Sequence, residues 1–142
     1  MSQILPISTI MTDTVVTVNL QNSLEDAAKL FKKHHIRHIP VTENNELKGM
    51  LSLTDMKRLS FFEAYTNGND DDDETSAPIF DMLSIEQVMA ENIETVNPDT
   101  PIKDVAQIFT THEFHALPVV DSVGLRGIVT TTDLIKYLLK NC

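Results

Sequence analysis

Apolar and polar positions along this chain change period in a fixed order, and the order occurs twice. Val15-Val-Thr-Val18 is a β-branched run and predicts a short extended segment. Leu24, Ala27, Ala28 and Phe31 then recur at three- and four-residue spacing, the signature of a helix with one apolar face. Asn22-Ser23 supplies a capping side chain at its start. Ile39-Pro-Val41 and Leu47–Leu51 are strand-length apolar runs separated by Glu43-Asn-Asn-Glu46, which predicts a hairpin. A second helical pattern, Met56-Lys-Arg-Leu59-Ser-Phe61-Phe62, closes the series. Downstream, Ile93-Glu-Thr-Val96 is followed by the helical face Ile102, Val105, Ala106 and Phe109, opened by Thr100-Pro101. The runs Leu117-Pro-Val-Val120 and Leu125–Val129 flank the turn Asp121-Ser-Val-Gly124, and Leu134-Ile135-Lys-Tyr137-Leu138-Leu139 ends the second series.

Sliding the chain along itself by 78 positions aligns Met11–Lys57 with Met89–Ile135 without a gap, and 14 of the 47 positions are identical. Ordinary residue usage would give about three, so the chain is an internal duplication. The expected fold is α/β (α+β): two β-α-β-β-α repeats, too few for a solenoid and the right number for a pseudo-two-fold pair. The boundaries drawn from the pattern are repeat 1 over 1–64, an acidic linker over 65–78 and repeat 2 over 79–142.

With 142 residues, 42% of them apolar, the chain can bury a real core. Its single cysteine, Cys142, excludes an internal disulfide framework and a CxxC site, and suits a cytoplasmic protein. No apolar run reaches the roughly 18 to 20 residues that cross a bilayer, and Met1-Ser-Gln-Ile-Leu-Pro lacks a signal-peptide pattern. The formal charge of −10 argues against nucleic acid as a partner. That charge is uneven: residues 61–84 hold seven acids and no Lys or Arg, whereas residues 1–60 hold seven Lys/Arg and six acids. Clustered carboxylates at 70–74 suit a hard cation, but the tract lacks the glycine and terminal glutamate of an EF-hand loop, and a solvated linker is the plainer reading.

The chemistry gathers where each hairpin meets its last helix. Gly49-Met-Leu-Ser-Leu-Thr-Asp55 and Gly127-Ile-Val-Thr-Thr-Thr-Asp133 each run from a glycine into hydroxyls and one carboxylate, a pattern of strand, tight turn and helix start. A carboxylate accepts two hydrogen bonds from a vicinal diol, and helix N-termini favour phosphate. Taken singly, Thr54-Asp55 and Thr132-Asp133 also sit where a helix takes its N-cap. Gly49 and Gly127 permit either unusual backbone geometry or a close approach. His34 and His112 recur at a helix end, where capping suits them better than chemistry; a metal on His34, His35 and His38 is the weaker alternative.

The duplication, the His/Arg-x-apolar-Pro-Val strand and the Gly-to-Asp turn in each copy together resemble the cystathionine-β-synthase (CBS) domain family. A tandem pair of such repeats is similar to a Bateman module. The resemblance runs from about residue 7 to 140, apart from the acidic loop. It implies a regulatory module that binds AMP, ADP, ATP or S-adenosylmethionine in clefts between the repeats, with magnesium as an optional companion and no required cofactor. By the same resemblance Asp55 and Asp133 take ribose hydroxyls, with Ser52, Thr54, Thr130 and Thr132 near ribose and phosphate. Arg37, His38 and His115 reach phosphate, and Ile36 and Phe114 cover the adenine. Ala116 stands where the first copy has His38, a departure from the basic pattern.

No activated nucleophile, metal-water set or paired carboxylates are legible, so no catalytic residue is expected and the chain does not read as an enzyme. Two functional expectations remain. One is a stand-alone sensor whose nucleotide shifts the packing of the repeats for a separate protein target. The other is a ligand-free scaffold for dimerisation. Phe61-Phe62 and Tyr137-Leu138 offer apolar surface for a homodimer under either.

Overall fold

The computed structural model describes residues 5–59 and 79–142. The chain divides into two compact units: Val16–Ile93, and residues up to Val15 together with Glu94–Cys142.

In the contiguous unit, β1 (Val18–Asn19), α1 (Leu24–His34), β2 (His38–Glu43) and β3 (Glu46–Ser52) follow in order, then a helix α2 over residues 53–59, α3 (Ile79–Met82) and α4 (Ile85–Val88). The sheet order is β1-β2-β3, with β1 parallel to β2 and β2 antiparallel to β3. Leu24, Ala27 and Phe31 of α1 are buried with Val18, Ile39, Val41, Leu51, Met56, Phe80 and Ile85. In the other unit, α5 (Ile102–Thr111), β4 (Ala116–Asp121), β5 (Gly124–Thr130) and α6 (Thr131–Asn141) repeat the plan. Its core is Ile7, Val96, Ile102, Val105, Leu117, Val119 and Val129.

The two α-β-β-α series are those expected from the apolar periods, but the first strand of each copy is shorter than its β-branched run. β1 is two residues long, and in the second copy only Val96 pairs, with Val119. The register explains the limit. Val18 lies opposite Val41, so the next residue back, Thr17, would face Pro40, which has no N–H for the ladder. Val96 facing Val119 meets the same block at Pro118.

The hairpin turns have equal length and different chemistry. Asn44 and Asn45 both take positive φ (54° and 66°), the two-residue turn that asparagine tolerates. In the second hairpin the Asp121 carboxylate accepts from the N–H groups of Val123 (2.8 Å) and Gly124 (3.3 Å), and Gly124 carries the positive φ.

The repeats and the compact units do not have the same bounds. A 3-10 turn at Ile7–Thr9 precedes Thr12, which pairs with Ile128 of β5 (Thr12 N–H to the Ile128 carbonyl 2.8 Å, the return bond 2.9 Å). Seventy-eight positions later, α4 precedes Ala90, which pairs with Met50 of β3 (2.9 and 3.0 Å). Each copy's lead-in therefore completes the sheet of the other copy. The 1–64 and 79–142 boundaries follow the repeat in sequence; the hydrogen bonds group residues 79–93 with the first copy and the N-terminal lead-in with the second. Residues 65–78 lie outside the described residues.

Glycine makes these joins possible. A Cβ at Gly127 would stand 2.7 Å from Met11 Sδ and 2.8 Å from the Thr12 carbonyl oxygen; at Gly49 it would stand 2.5 Å from Met89 Sδ and 2.7 Å from the Ala90 carbonyl oxygen. Neither glycine has positive φ, so of the two roles open to them it is close approach that applies.

Helix α1 opens on a closed capping box. The Ser23 N–H donates to Asp26 Oδ2 (3.1 Å) and the Asp26 N–H to Ser23 Oγ (3.0 Å). The Ser23 backbone N–H, and then its hydroxyl, hold the Asp26 carboxyl below its ordinary range. A depressed folded pKa means that this stabilisation is present above about pH 4 and is lost as pH falls through the lower folded value. Ser23→Ala is expected to cost about 1 kcal/mol in urea unfolding at pH 7. Asp26→Asn should narrow the stability gap between pH 7 and pH 3; an unchanged gap would show that the box carries no acid-linked stability.

Candidate functional site

The two strand-to-helix turns are built alike. β3 ends at Ser52, whose Oγ accepts from the Asp55 N–H at 3.1 Å. β5 ends at Thr130, which caps α6: Thr130 Oγ1 accepts from the Asp133 N–H (3.1 Å) and Asp133 Oδ2 accepts from the Thr130 N–H (3.0 Å). The caps thus lie two or three residues before the Thr-Asp pairs that the sequence suggested for them. An N-cap needs an extended backbone, and Thr130 has it (φ −119°, ψ 165°); its side chain then reaches the third helical N–H, which belongs to the aspartate. Thr54 and Thr132 fall inside the helices as exposed residues.

Backbone bonds bring the residues before each Pro-Val strand to these turns. The Leu53 N–H donates to the Arg37 carbonyl (2.8 Å), and the Thr131 N–H to the His115 carbonyl (3.1 Å). Register sets His38 opposite Ser52 and Ala116 opposite Thr130. Arg37, His38, Ser52, Thr54 and Asp55 thus cluster in one unit, and His115, Thr130, Thr132 and Asp133 in the other. Arg37 and His115 are exposed, and His38 is half-buried.

The carboxylates differ in their engagements. Asp133 gives one oxygen to its own helix, and Oδ1 makes no hydrogen bond among the described residues. Asp55 Oδ1 instead lies 3.6 Å from the Arg58 guanidinium, with both side chains well exposed (40% and 77%), so the pair is weak and readily exchanged. Arg58 is a site residue that the motif does not mark; its i, i+3 spacing from Asp55 is the signal in the sequence that points to it.

The two apolar candidates also differ. Ile36 is half-buried against the first core. Phe114 packs on the second core, edge-on to Phe109 (centroids 6.2 Å apart) and stacked on the His112 ring (4.9 Å). His112 closes α5: its Nδ1 lies 2.9 Å from the Ile108 carbonyl oxygen, the capping role expected of it. Helix α1 ends differently, on His35 in the left-handed conformation (φ 53°). Among the described residues no three His, Cys, Asp or Glu side chains converge as a metal site requires, and the acidic run at 70–74 lies outside them. No helix among the described residues is long and apolar enough to cross a membrane.

Each turn therefore combines a carboxylate with uncommitted acceptor capacity, hydroxyl side chains and a basic residue tethered beside them. That set suits a polyhydroxylated ligand with an anionic or polar tail.

Comparison with known proteins agrees with the duplication. The chain is 32% identical over 131 residues to the CBS domain-containing protein YhcV of Bacillus subtilis (strain 168), covering 92% of this chain and 84% of that one. The fold matches the crystal structure of the CBS domain pair of protein MJ0100 in complex with 5′-methylthioadenosine and S-adenosyl-L-methionine, with TM-score 0.77, 25% identity, and 99% and 100% of the two chains covered. It also matches the CBS domain of a CBS domain-containing membrane protein from Sphaerobacter thermophilus, with TM-score 0.72, 30% identity, and 93% and 86% covered. The CBS domain family model matches residues 7–61 and 85–140, so the chain belongs to the CBS domain family and carries its domain as a tandem pair.

Proposed function

We propose that the protein is a regulatory module, not an enzyme, that binds an adenosine-containing ligand at its strand-to-helix turns and signals its occupancy to a separate protein target. The observation that carries this reading is the Asp133 carboxylate, held in place by the Thr130 N–H through Oδ2 while Oδ1 has no partner among the described residues. A carboxylate already oriented loses little entropy when it accepts a ribose hydroxyl. Asp55, paired with an exposed arginine, exchanges that partner at small cost. The likeness to a CBS domain pair solved with 5′-methylthioadenosine and S-adenosyl-L-methionine supports the choice of adenosine compounds. Adenine stacks on Phe114 in one turn and on Ile36 in the other, and magnesium accompanies only a polyphosphate.

Thermal unfolding with AMP, ATP, 5′-methylthioadenosine and S-adenosylmethionine tests the reading. A ligand at one hundred times its Kd stabilises by about 2.7 kcal/mol, a rise of several degrees in Tm. No shift with any of the four at millimolar concentration, and no adenosine compound in mass spectra of the purified protein, would reject it. The scaffold reading would then lead, because Ile135, Leu138 and Leu139 of α6 are 55%, 54% and 78% exposed and form one outward apolar face suited to a homodimer.

A further inference from the structure

The two copies present different charge to turns that are otherwise built alike. Residues 32–38 hold Lys32, Lys33, Arg37 and three histidines without an acid, whereas residues 110–116 hold no Lys or Arg, two histidines and Glu113. The difference continues on the last helix of each copy, where Lys57 and Arg58 correspond to Ile135 and Lys136. It is delivered to the turns themselves: the Arg37 carbonyl is bonded to the Leu53 N–H, and the His115 carbonyl to the Thr131 N–H. Opposite the capping residue stands His38 in the first copy and Ala116 in the second. Arg37 is exposed and forms no ion pair among the described residues, so its charge is available to a ligand.

We infer that the two turns divide their ligands by charge: the Ser52–Asp55 turn takes a nucleoside phosphate, and the Thr130–Asp133 turn takes a phosphate-free or sulfonium derivative of adenosine. This inference rests on the nucleotide reading above and adds an assignment of ligand class to each copy. A phosphate beside Arg37 gains charge-assisted hydrogen bonds, and an excess of positive charge raises its local concentration. At the second turn a phosphate would find no Lys or Arg in residues 110–116, and Glu113 in that segment repels it. An uncharged thioether avoids that repulsion, and a sulfonium is attracted by the same acid. Phe114 favours the same ligands, because an aromatic face accepts a cation or an apolar group and disfavours an anion. The Phe109 and His112 rings hold it in place.

Titration calorimetry on the full chain separates the classes, with AMP and 5′-methylthioadenosine as probes. Arg37→Gln, an exposed change that leaves the backbone bond intact, is expected to weaken AMP about tenfold or more while 5′-methylthioadenosine changes less than twofold. His115→Gln is expected to leave AMP within twofold. AMP affinity should fall with added salt and 5′-methylthioadenosine affinity should not. If both probes bind the native chain but Arg37→Gln weakens them equally, or His115→Gln weakens AMP as much as Arg37→Gln does, the division by charge is wrong and the nucleotide reading stands. If neither probe binds the native chain, the nucleotide reading itself is rejected, and this assignment with it.

Discussion

Asp55→Asn combined with Asp133→Asn is expected to abolish adenosine-dependent binding heat while leaving the fold intact. Asparagine keeps the size of aspartate and one carbonyl oxygen. In α6 it can still accept from the Thr130 N–H, the bond that Asp133 Oδ2 now makes at 3.0 Å. It loses the charge, and its second terminal atom becomes an NH2 donor that no longer accepts from a ribose hydroxyl. Each charge-assisted bond to a hydroxyl contributes about 1.5–3 kcal/mol. Losing two to a diol corresponds to an affinity loss of roughly 10²–10⁴-fold. Calorimetry gives the affinity and circular dichroism the fold. Retention of near-native affinity in the double variant would mean that neither carboxylate holds the sugar.

The separation of roles is sharpest at Asp133. Asp133→Ala removes both the proposed ligand acceptor and half of the capping box, so it should lose affinity and also about 1 kcal/mol of stability. Asp133→Asn should lose affinity with most of the stability kept. If the residue acts only as a helix cap, the order reverses: alanine lowers the unfolding midpoint and neither substitution changes affinity.

Gly127→Val should damage the fold severely, with a cost of about 2–4 kcal/mol in urea unfolding. Its Cβ would press on Met11 Sδ and on the Thr12 carbonyl oxygen. The methionine is flexible and can yield. The carbonyl cannot, because it accepts the Ile128 N–H at 2.9 Å and any retreat breaks that bond. Shortening the neighbour by Met11→Ala should therefore recover only part of the loss. Full recovery would locate the strain in the sulfur contact and leave the edge hydrogen bonds without a structural role.

Much of the fold was legible because its causes are local. The faces Leu24-Ala27-Phe31 and Ile102-Val105 turn inward because their spacing matches the helical period. The Asn44-Asn45 hairpin forms because asparagine accepts positive φ. The candidate site was legible in part for the same reason: strand, hydroxyl, two residues and acid is the spacing that a capping box requires, so Ser52 with Asp55 and Thr130 with Asp133 meet by geometry alone. Less legible was which residue would be the cap, since Thr54 and Thr132 have the same side-chain chemistry as Thr130 and only the end of the strand decides between them.

By itself, the sequence determined that there are two copies, the helices and hairpins in each, and the acid at the mouth of each last strand. These follow from residue periods and caps acting over a few positions. Only the tertiary structure decided that the lead-in of one copy closes the sheet of the other, with Thr12 beside Ile128 and Ala90 beside Met50. It likewise decided that Arg37 and His115 stand at the turns. A sheet edge accepts any chain that brings N–H and carbonyl groups into line, and sequence spacing carries no record of which segment arrives.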